Sequence, residues 1–307
     1  MPTDTRFLVV GASGFVGRHL RARLQSLAIP VVGTRSRSGR RPFAAPDLVP
    51  FDLDGDRIAH TLDAVDRGFF AGPARVEAVV CAAVDNMDWC HTEREVSRRI
   101  YVDRIRRLID DLAGLGARIT FPSTCFVFDG AVGNYAEDDP VAPVNEYARQ
   151  KLEVERHLAG AAPDGCVVRL DKIVGDDPAE PTLFTQWLGH LRGGTPIVCI
   201  ADSVLSPTFV GDVVDAILLG ARLGLGGVHH VANPEQFLRA DLARAFCSEL
   251  GVPAHPVAER ALSEFHFADA RALKSSLNGS RFARRTGLQA TPMREVLRRF
   301  HDRLRSS

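Results

Sequence analysis

The stretch Arg6-Phe7-Leu8-Val9-Val10-Gly11-Ala12-Ser13-Gly14-Phe15-Val16-Gly17-Arg18-His19-Leu20 places three glycines between an apolar run and a helical apolar period. This pattern predicts a strand, a tight turn and a helix. Gly11 allows the turn, Gly14 lets the backbone approach a pyrophosphate, and Gly17 packs the helix on the strand. The unpaired N–H groups and the positive dipole end of such a helix bind phosphate without needing a lysine.

The surrounding sequence decides between a dinucleotide site and an ordinary glycine turn, because glycine clusters also mark turns that hold no ligand. The helical period continues through Leu20, Leu24 and Leu27, and a second apolar run follows at residues 29–32. This is the spacing of a βαβ unit and predicts an α/β fold, a Rossmann-type doubly wound parallel sheet. A turn without a ligand is the alternative.

Composition narrows the function classes. The 307 residues are enough for one large α/β core with a smaller lobe attached. Lys+Arg and Asp+Glu are equal at 38 each, so there is no basic excess of the kind that nucleic-acid or membrane-surface partners require. We therefore expect a small-molecule substrate, no nucleic-acid partner and no membrane partner, and we leave a homodimer open.

Neither the N-terminus nor the cysteines indicate export. The first residues lack a charged-then-apolar leader pattern, and no apolar run approaches the length of a membrane span, so a cytoplasmic protein is expected. The six cysteines are widely spaced with no Cys-x-x-Cys pair. This spacing argues against disulfides and against a zinc site, and no metal is predicted.

A basic, hydroxyl-rich loop follows the second apolar run. An NAD site usually places an acidic residue about 20 residues after the glycine motif to hold the ribose 2′-hydroxyl. Here the positions are Arg35, Ser36 and Arg37, which suit a 2′-phosphate because a guanidinium can bind two phosphate oxygens at once. NADPH is the expected cofactor and NAD the alternative, while a solvated basic loop is the plainer interpretation. Asp52 and Leu53, at the end of a short third strand, are predicted adenine contacts.

A second group of residues has the chemistry of proton transfer. The strand over residues 117–124 ends in Ser123 and Thr124, and ligands of open parallel sheets bind at the carboxyl ends of the strands. A helix begins after Asn145, and on it Tyr147 and Lys151 lie four residues apart on one face. A nearby ammonium favours the ionised form of a phenol, whose reference pKa is about 10. Tyr147 could then protonate a carbonyl oxygen that Thr124 also contacts; a surface Tyr with an exposed Lys is the alternative.

In this order the motifs resemble an extended short-chain dehydrogenase/reductase. The segment Ser123-Thr124-Cys125-Phe126-Val127-Phe128-Asp129-Gly130, with Tyr147 and Lys151 after it, resembles more narrowly the dTDP-4-dehydrorhamnose reductase group. The segment Ser206-Pro207-Thr208-Phe209-Val210 and the later His230-Val231-Ala232-Asn233 are also similar to that group. The likeness covers nearly the whole chain.

The resemblance implies an enzyme, an NAD(P)-dependent oxidoreductase that reduces the keto carbon of a nucleotide-linked sugar, a dTDP-4-keto-6-deoxy sugar in the narrower form. It implies that Thr124, Tyr147 and Lys151 are the catalytic set. It also implies an NAD(P)-binding domain over residues 1–171, to which 202–232 returns, and a C-terminal α+β lobe over 172–307 that mainly binds substrate. The full predicted cofactor site is Gly11, Ser13, Gly14, Phe15, Val16, Gly17, Arg35, Ser36, Arg37, Asp52, Leu53, Ala82, Ala83, Tyr147 and Lys151.

Departures from the group leave the substrate open. Cys125 stands where the group commonly has Asp, Tyr101 lies where it has Asn in a helix, and an acidic residue is common near His91. The resemblance offers Arg169, Phe184 and Trp187 as candidate substrate contacts, although aromatic residues at helical spacing are usually core.

Two other functions fit the same motifs. A sugar-nucleotide epimerase needs little beyond the same set, although epimerases of this fold generally retain NAD. A dehydratase is disfavoured because Cys125 and Phe126 replace its Asp-Glu pair. Some proteins of this group are non-catalytic regulatory subunits that bind a nucleotide, and an intact Thr124, Tyr147 and Lys151 argues against that interpretation.

Overall fold

A computed structural model describes residues 5–37, 47–63, 66, 68–70, 74–82, 86–253 and 256–306. The chain forms two compact units. Unit 1 comprises Met1–Thr124, Asn145–Arg169 and Val214–His229, and unit 2 comprises Cys125–Val144, Leu170–Val213 and His230–Ser307. The functional roles given above to residues 1–171, 202–232 and 172–307 stay predictions.

A seven-stranded sheet forms the centre of the fold, in the strand order β11-β6-β5-β4-β1-β2-β3. The ladders that join β1 to β2 and β4, β2 to β3 and β4 to β5 are parallel, and Val9 pairs with Gly33 on one side and with Val79 on the other. The predicted Rossmann-type fold is therefore confirmed. The strands of this sheet are β1 (Thr5–Val10), β2 (Val31–Arg35), β3 (Val49–Pro50), β4 (Arg75–Val80), β5 (Arg118–Thr124), β6 (Cys166–Leu170) and β11 (Gly227–Val231).

Short strands of unit 2 form three two-stranded ladders. They are β7 (Ile173–Val174), β8 (Ile197–Ile200), β9 (Val204–Leu205), β10 (Thr208–Phe209), β12 (Phe237–Leu238) and β13 (Val257–Arg260). The helices of the described chain are α1 (Phe15–Ser26), α2 (Ile58–Asp63), α3 (Met87–Thr92), α4 (Arg94–Arg98), α5 (Arg104–Gly114), α6 (Glu146–Ala161), α7 (Leu183–Arg192), α8 (Val210–Leu223), α9 (Arg239–Glu249), α10 (Ser280–Thr286) and α11 (Met293–Ser306). None of these helices is long and apolar enough to cross a membrane.

The glycine turn between β1 and α1 is required by close backbone contacts. Gly11 has φ +83°, a conformation that side chains disfavour, and a Cβ there would lie 2.9 Å from the Ala82 nitrogen. A Cβ on Gly17 would lie 2.4 Å from the Gly11 carbonyl oxygen, so only glycine lets α1 pack this closely on the turn. The Gly11 N–H also donates to Thr34 Oγ1 over 3.1 Å, which ties the turn to β2.

One predicted helix contains an irregular turn. The apolar spacing from about residue 92 to 115 predicts a helix, and the structure is helical from Arg94 to Gly114 with a π-helical turn at Arg99–Asp103 between α4 and α5. A π-turn adds a residue to the turn and shifts the faces of the helix that follows. Tyr101 lies in this turn, and its ring packs edge-on against Trp89 with ring centroids 5.9 Å apart.

Each unit has its own apolar core. In unit 1, buried residues of α2, α5 and α6 pack with those of β1, β4 and β5; Leu8, Ile119 and Val154 are all fully enclosed. In unit 2, the aromatic side chains of α7, α9 and α11 pack together, and Phe184 stacks on Phe246 with centroids 5.5 Å apart.

Replacing Gly17 with alanine tests the close packing of the turn. We expect Gly17→Ala to lower the free energy of unfolding by about 1–3 kcal/mol, because the new Cβ overlaps a backbone oxygen that cannot move freely. Urea denaturation measures the loss. Gly160→Ala on α6 is the matched control, because its Cβ meets nothing within 4 Å and alanine favours helix by up to about 1 kcal/mol. Equal effects from the two variants would contradict the packing role.

Candidate active site

The N-terminus of α1 has the properties of a phosphate site. Gly14 is its N-cap, no side chain caps it, and no acidic residue lies in its first turn. The first N–H groups of a helix lack partners within that helix, so this end presents donors and a positive dipole. Ser13, Phe15 and Val16 are half-buried around it. These residues fit the pyrophosphate of a dinucleotide, as their sequence predicts.

Two residues of the basic loop, Ser36 and Arg37, already contact carboxylates. Ser36 Oγ donates to Asp52 Oδ1 over 2.7 Å, and the Arg37 backbone N–H donates to the same oxygen over 3.0 Å. The Arg37 guanidinium pairs with Asp56 over 2.5 Å. A hydrogen bond from the Asp52 backbone N–H, and then Arg37, lower the pKa of Asp56. Ser36 and Arg37 would therefore have to leave these acceptors to bind a phosphate.

Arg35 differs from these two neighbours. It ends β2, is half-buried, and its guanidinium has no ion pair or hydrogen bond among the residues that the structure describes. Of the other predicted cofactor residues, Leu53 packs partly against the unit 1 core, and Ala82 is half-buried beyond β4. Ala83 lies outside the described residues. Of the two arginines of this loop that the structure describes, Arg35 is therefore the one whose guanidinium remains available to a ligand.

Tyr147 and Lys151 lie on one cavity of unit 1. Asn145 caps α6 by accepting a hydrogen bond from the Ala148 N–H over 2.9 Å, which places Tyr147 in the first turn of the helix. The cavity is lined by Ala82, Tyr101, Ile105, Phe121, Tyr147, Gln150 and Lys151. Thr124 is buried at the last position of β5 and is not among these lining residues.

The Lys151 ammonium lies against β5. Its Nζ donates to the Pro122 carbonyl oxygen over 3.2 Å and sits 4.6 Å from the centroid of the Phe121 ring. Burial lowers the pKa of Lys151 from 10.5 to about 8, and the Glu155 carboxylate acts in the opposite direction. Burial also raises the pKa of the neighbouring Cys81 thiol to about 12, so Cys81 is neutral at physiological pH. Burial therefore brings the pKa of Lys151 closer to neutral pH than that of an exposed lysine.

The sequence does not identify Gln150 as a cavity residue. Its Nε2 donates to Ser97 Oγ over 2.8 Å and to Glu146 Oε1 over 3.1 Å. Because a carboxylate only accepts hydrogen bonds, this contact fixes which end of the amide faces Glu146. The Gln150 Oε1 is buried and has no hydrogen-bond donor among the described residues. The feature that could have identified Gln150 from the sequence is its position three residues after Tyr147, on the same helix face.

Ser123, near the end of β5, and Cys125, directly after it, both form hydrogen bonds with buried carboxyl groups. Ser123 does not present a free hydroxyl; it donates to Glu155 Oε1 within unit 1. In unit 2 the Cys125 thiol donates to Asp171 Oδ1 over 3.3 Å and is buried. Cys125 thus has a packing and hydrogen-bonding role where the related group has an acid.

All three candidate substrate contacts are buried, so the structure does not support that role for them. Phe184 and Trp187 belong to the aromatic core of unit 2, with 0% and 3% of their surface exposed. Arg169 is buried in an ion pair with Glu155. None of the three side chains offers surface to a substrate in this structure.

Comparisons with known proteins identify a matching family and several similar chains. The family described as RmlD substrate binding domain matches residues 5–306. A probable low-salt glycan biosynthesis reductase of Haloferax volcanii is 28% identical over 89% of this chain and 89% of its own length. A dTDP-4-dehydrorhamnose reductase of Mycolicibacterium smegmatis is 32% identical over 76% of this chain and 73% of its own length. A structure of dTDP-4-dehydrorhamnose reductase from Bacillus anthracis, solved in complex with NADP, shares the fold. Its TM-score is 0.81 at 22% identity, with 96% of this chain and 98% of that chain covered.

Proposed function

We propose, from the premise that this chain belongs to the RmlD substrate-binding domain family, that it uses NADPH to reduce the 4-keto carbon of a dTDP-4-keto-6-deoxy sugar. The chain is an NAD(P)-dependent oxidoreductase of the extended short-chain type. The placement of Tyr147 and Lys151 on one cavity of the unit that also holds the glycine turn carries the proposed chemistry, and the relatives named dTDP-4-dehydrorhamnose reductase support the proposed substrate.

Each chemical role follows from a group of this chain. NADPH, when bound, supplies the hydride. Tyr147 donates its proton to the carbonyl oxygen as negative charge develops there. Thr124 is buried at the end of β5 outside the cavity lining, so its hydroxyl has to turn towards that oxygen to donate a second hydrogen bond. The Lys151 ammonium stabilises the tyrosinate that remains, because an opposite charge favours the ionised phenol. Desolvation strengthens this effect, since Lys151 lies in a partly buried cavity against β5.

The cofactor is held by two parts of unit 1. The N–H groups at the start of α1 bind its pyrophosphate, for which Gly11 and Gly17 provide the close backbone approach. Arg35 binds the 2′-phosphate, because its guanidinium is the one in the described loop without a carboxylate partner. Both parts bind charged phosphate groups of the cofactor, whereas Tyr147 and Lys151 act at the carbonyl group of the substrate.

The function is tested by assaying the purified protein with NADPH and a dTDP-4-keto-6-deoxy sugar. We expect loss of NADPH absorbance together with formation of the hydroxy sugar. An epimerase would change the sugar without consuming NADPH, and a regulatory subunit would bind both ligands without turnover. Either result would contradict the proposal.

Removal of the proton donor gives a specific kinetic prediction. Tyr147→Phe should lower kcat by about a hundredfold or more and leave the NADPH dissociation constant nearly unchanged, because only the phenol proton is lost. Tyr101→Phe removes a second phenol from the same cavity and should retain most of the rate. Stopped-flow kinetics measures the rate of reduction, and titration calorimetry measures the NADPH dissociation constant, for both variants. A Tyr147→Phe enzyme with most of its rate would exclude Tyr147 as the acid.

Arg35 gives a prediction about cofactor choice. Arg35→Ala should weaken NADPH binding by about ten- to a hundredfold, the loss of one charge-assisted hydrogen bond, and leave NADH binding unchanged. Arg37→Ala is the matched control and should have a smaller effect, because Asp56 already holds that guanidinium. Titration calorimetry with both cofactors measures the difference. Equal losses for NADPH and NADH would assign Arg35 a structural role instead.

A further inference from the structure

A buried ion pair lies one helical turn beyond Lys151. Glu155 on α6 accepts from Arg169 on β6, with Nη2 to Oε2 at 2.8 Å and Nε to the same oxygen at 3.2 Å. Their side chains are only 4% and 5% exposed. Burying two charges costs about as much desolvation energy as their attraction returns, so such a pair is weak evidence for a purely stabilising role. Its position next to a proposed catalytic lysine therefore calls for another explanation.

The same carboxylate holds α6 against the strand that ends in Thr124. Ser123 Oγ donates to Glu155 Oε1, and one turn earlier Lys151 Nζ donates to the carbonyl oxygen of Pro122. Residues four apart share a helix face, so successive residues of β5 contact successive turns of α6. The positions of Lys151 and Glu155 along the strand are thereby fixed together.

Glu155 is also the carboxylate that acts on the Lys151 charge. The other groups that face this ammonium are the thiols of Cys81 and Cys90 and the phenols of Tyr147 and Tyr101 on the shared cavity. Burial keeps the Cys81 thiol neutral, so it does not offset the desolvation of the ammonium.

We propose that Glu155 is a positioning residue that keeps the Lys151 ammonium charged beside Tyr147, and that Arg169 and Ser123 hold Glu155 in place for this task. The proposal rests on the catalytic roles proposed for Tyr147 and Lys151. It assigns the buried ion pair a function in catalysis, because loss of the ammonium charge would leave the ionised phenol unsupported. Glu155 acts through Lys151 and does not contact the reacting atoms.

The test is the ionisation of Lys151 itself. The chain has three lysines, Lys151, Lys172 and Lys274, so NMR of protein labelled at the lysine side chains gives three resonances. The Lys151→Met variant identifies its signal, and the other two lysines are internal references. In the unaltered protein we expect a midpoint near pH 8. In Glu155→Gln we expect a midpoint about one pH unit lower, because the anion is lost and the Arg169 cation remains.

Glu153→Gln is the matched control. Glu153 lies on the same helix and pairs with Arg98 and Arg106 on a more exposed face, so its loss should leave the Lys151 midpoint unchanged. A midpoint that does not move in Glu155→Gln, or that moves equally in Glu153→Gln, would overturn the proposal.

A second variant keeps the proposal testable where Glu155→Gln does not fold, as shown by circular dichroism. Arg169→Gln removes the cation and leaves the carboxylate, so it should move the Lys151 midpoint upward. Ser123→Ala keeps both charges but removes a hydrogen bond that holds Glu155, so it should lower the midpoint by less than Glu155→Gln does. A downward or absent shift in Arg169→Gln would also overturn the proposal.

Turnover separates this inference from the proposed function. In the active enzyme the alkaline loss of kcat should move to lower pH in Glu155→Gln, in step with the NMR midpoint. Absence of any turnover with the keto sugar would contradict the proposed function, while the NMR titration would still decide whether Glu155 sets the charge of Lys151. An unshifted pH profile in an active Glu155→Gln enzyme would overturn the inference alone.

Discussion

The packing of α6 against the carboxyl end of β5 is the constraint on which the site depends. This contact buries a lysine ammonium whose partners on the strand are a carbonyl oxygen and an aromatic ring. The burial costs free energy, and the cost appears as the lowered pKa of Lys151. In the proposed mechanism Lys151 has to stay positively charged beside the Tyr147 phenol, and a nearby anion favours that charge. Glu155 lies four residues after Lys151, on the same face of α6, and is the proposed anion.

The elements that follow from local pattern were the most predictable from the sequence. The turn around Gly11 and Gly17 was predicted because few structures other than a close helix–strand crossing require glycine at that spacing. The helix that carries Tyr147 begins directly after Asn145, as the sequence predicts, and Asn145 is its N-cap. These signals are local, so neighbouring residues are enough to define them.

What the sequence could not supply depends on contacts between distant residues. A π-turn at Tyr101 leaves no pattern of its own within an apolar helical period. The burial of Arg169 could not be predicted, because its partner Glu155 lies on another element of the sheet-and-helix layer. Likewise, Ser123 and Thr124 have equal status at a strand end until the structure shows that Ser123 donates to a buried carboxylate.

The basic loop shows why a charge pattern is an incomplete guide to a phosphate site. Arg35 and Arg37 are equivalent in sequence, and both suit a phosphate by chemistry. In the fold, the acidic residues after β3 lie beside the loop, and Arg37 pairs with Asp56 while the guanidinium of Arg35 has no such partner among the described residues. A phosphate that recruited Arg37 would have to compete with that carboxylate, whereas the Arg35 guanidinium has no ion pair to another described residue that would have to break. Among the described residues of the loop, Arg35 at the end of β2 is therefore the guanidinium that we propose selects a phosphorylated ribose, and a hydrogen bond from Gly11 to Thr34 ties the same strand to the glycine turn.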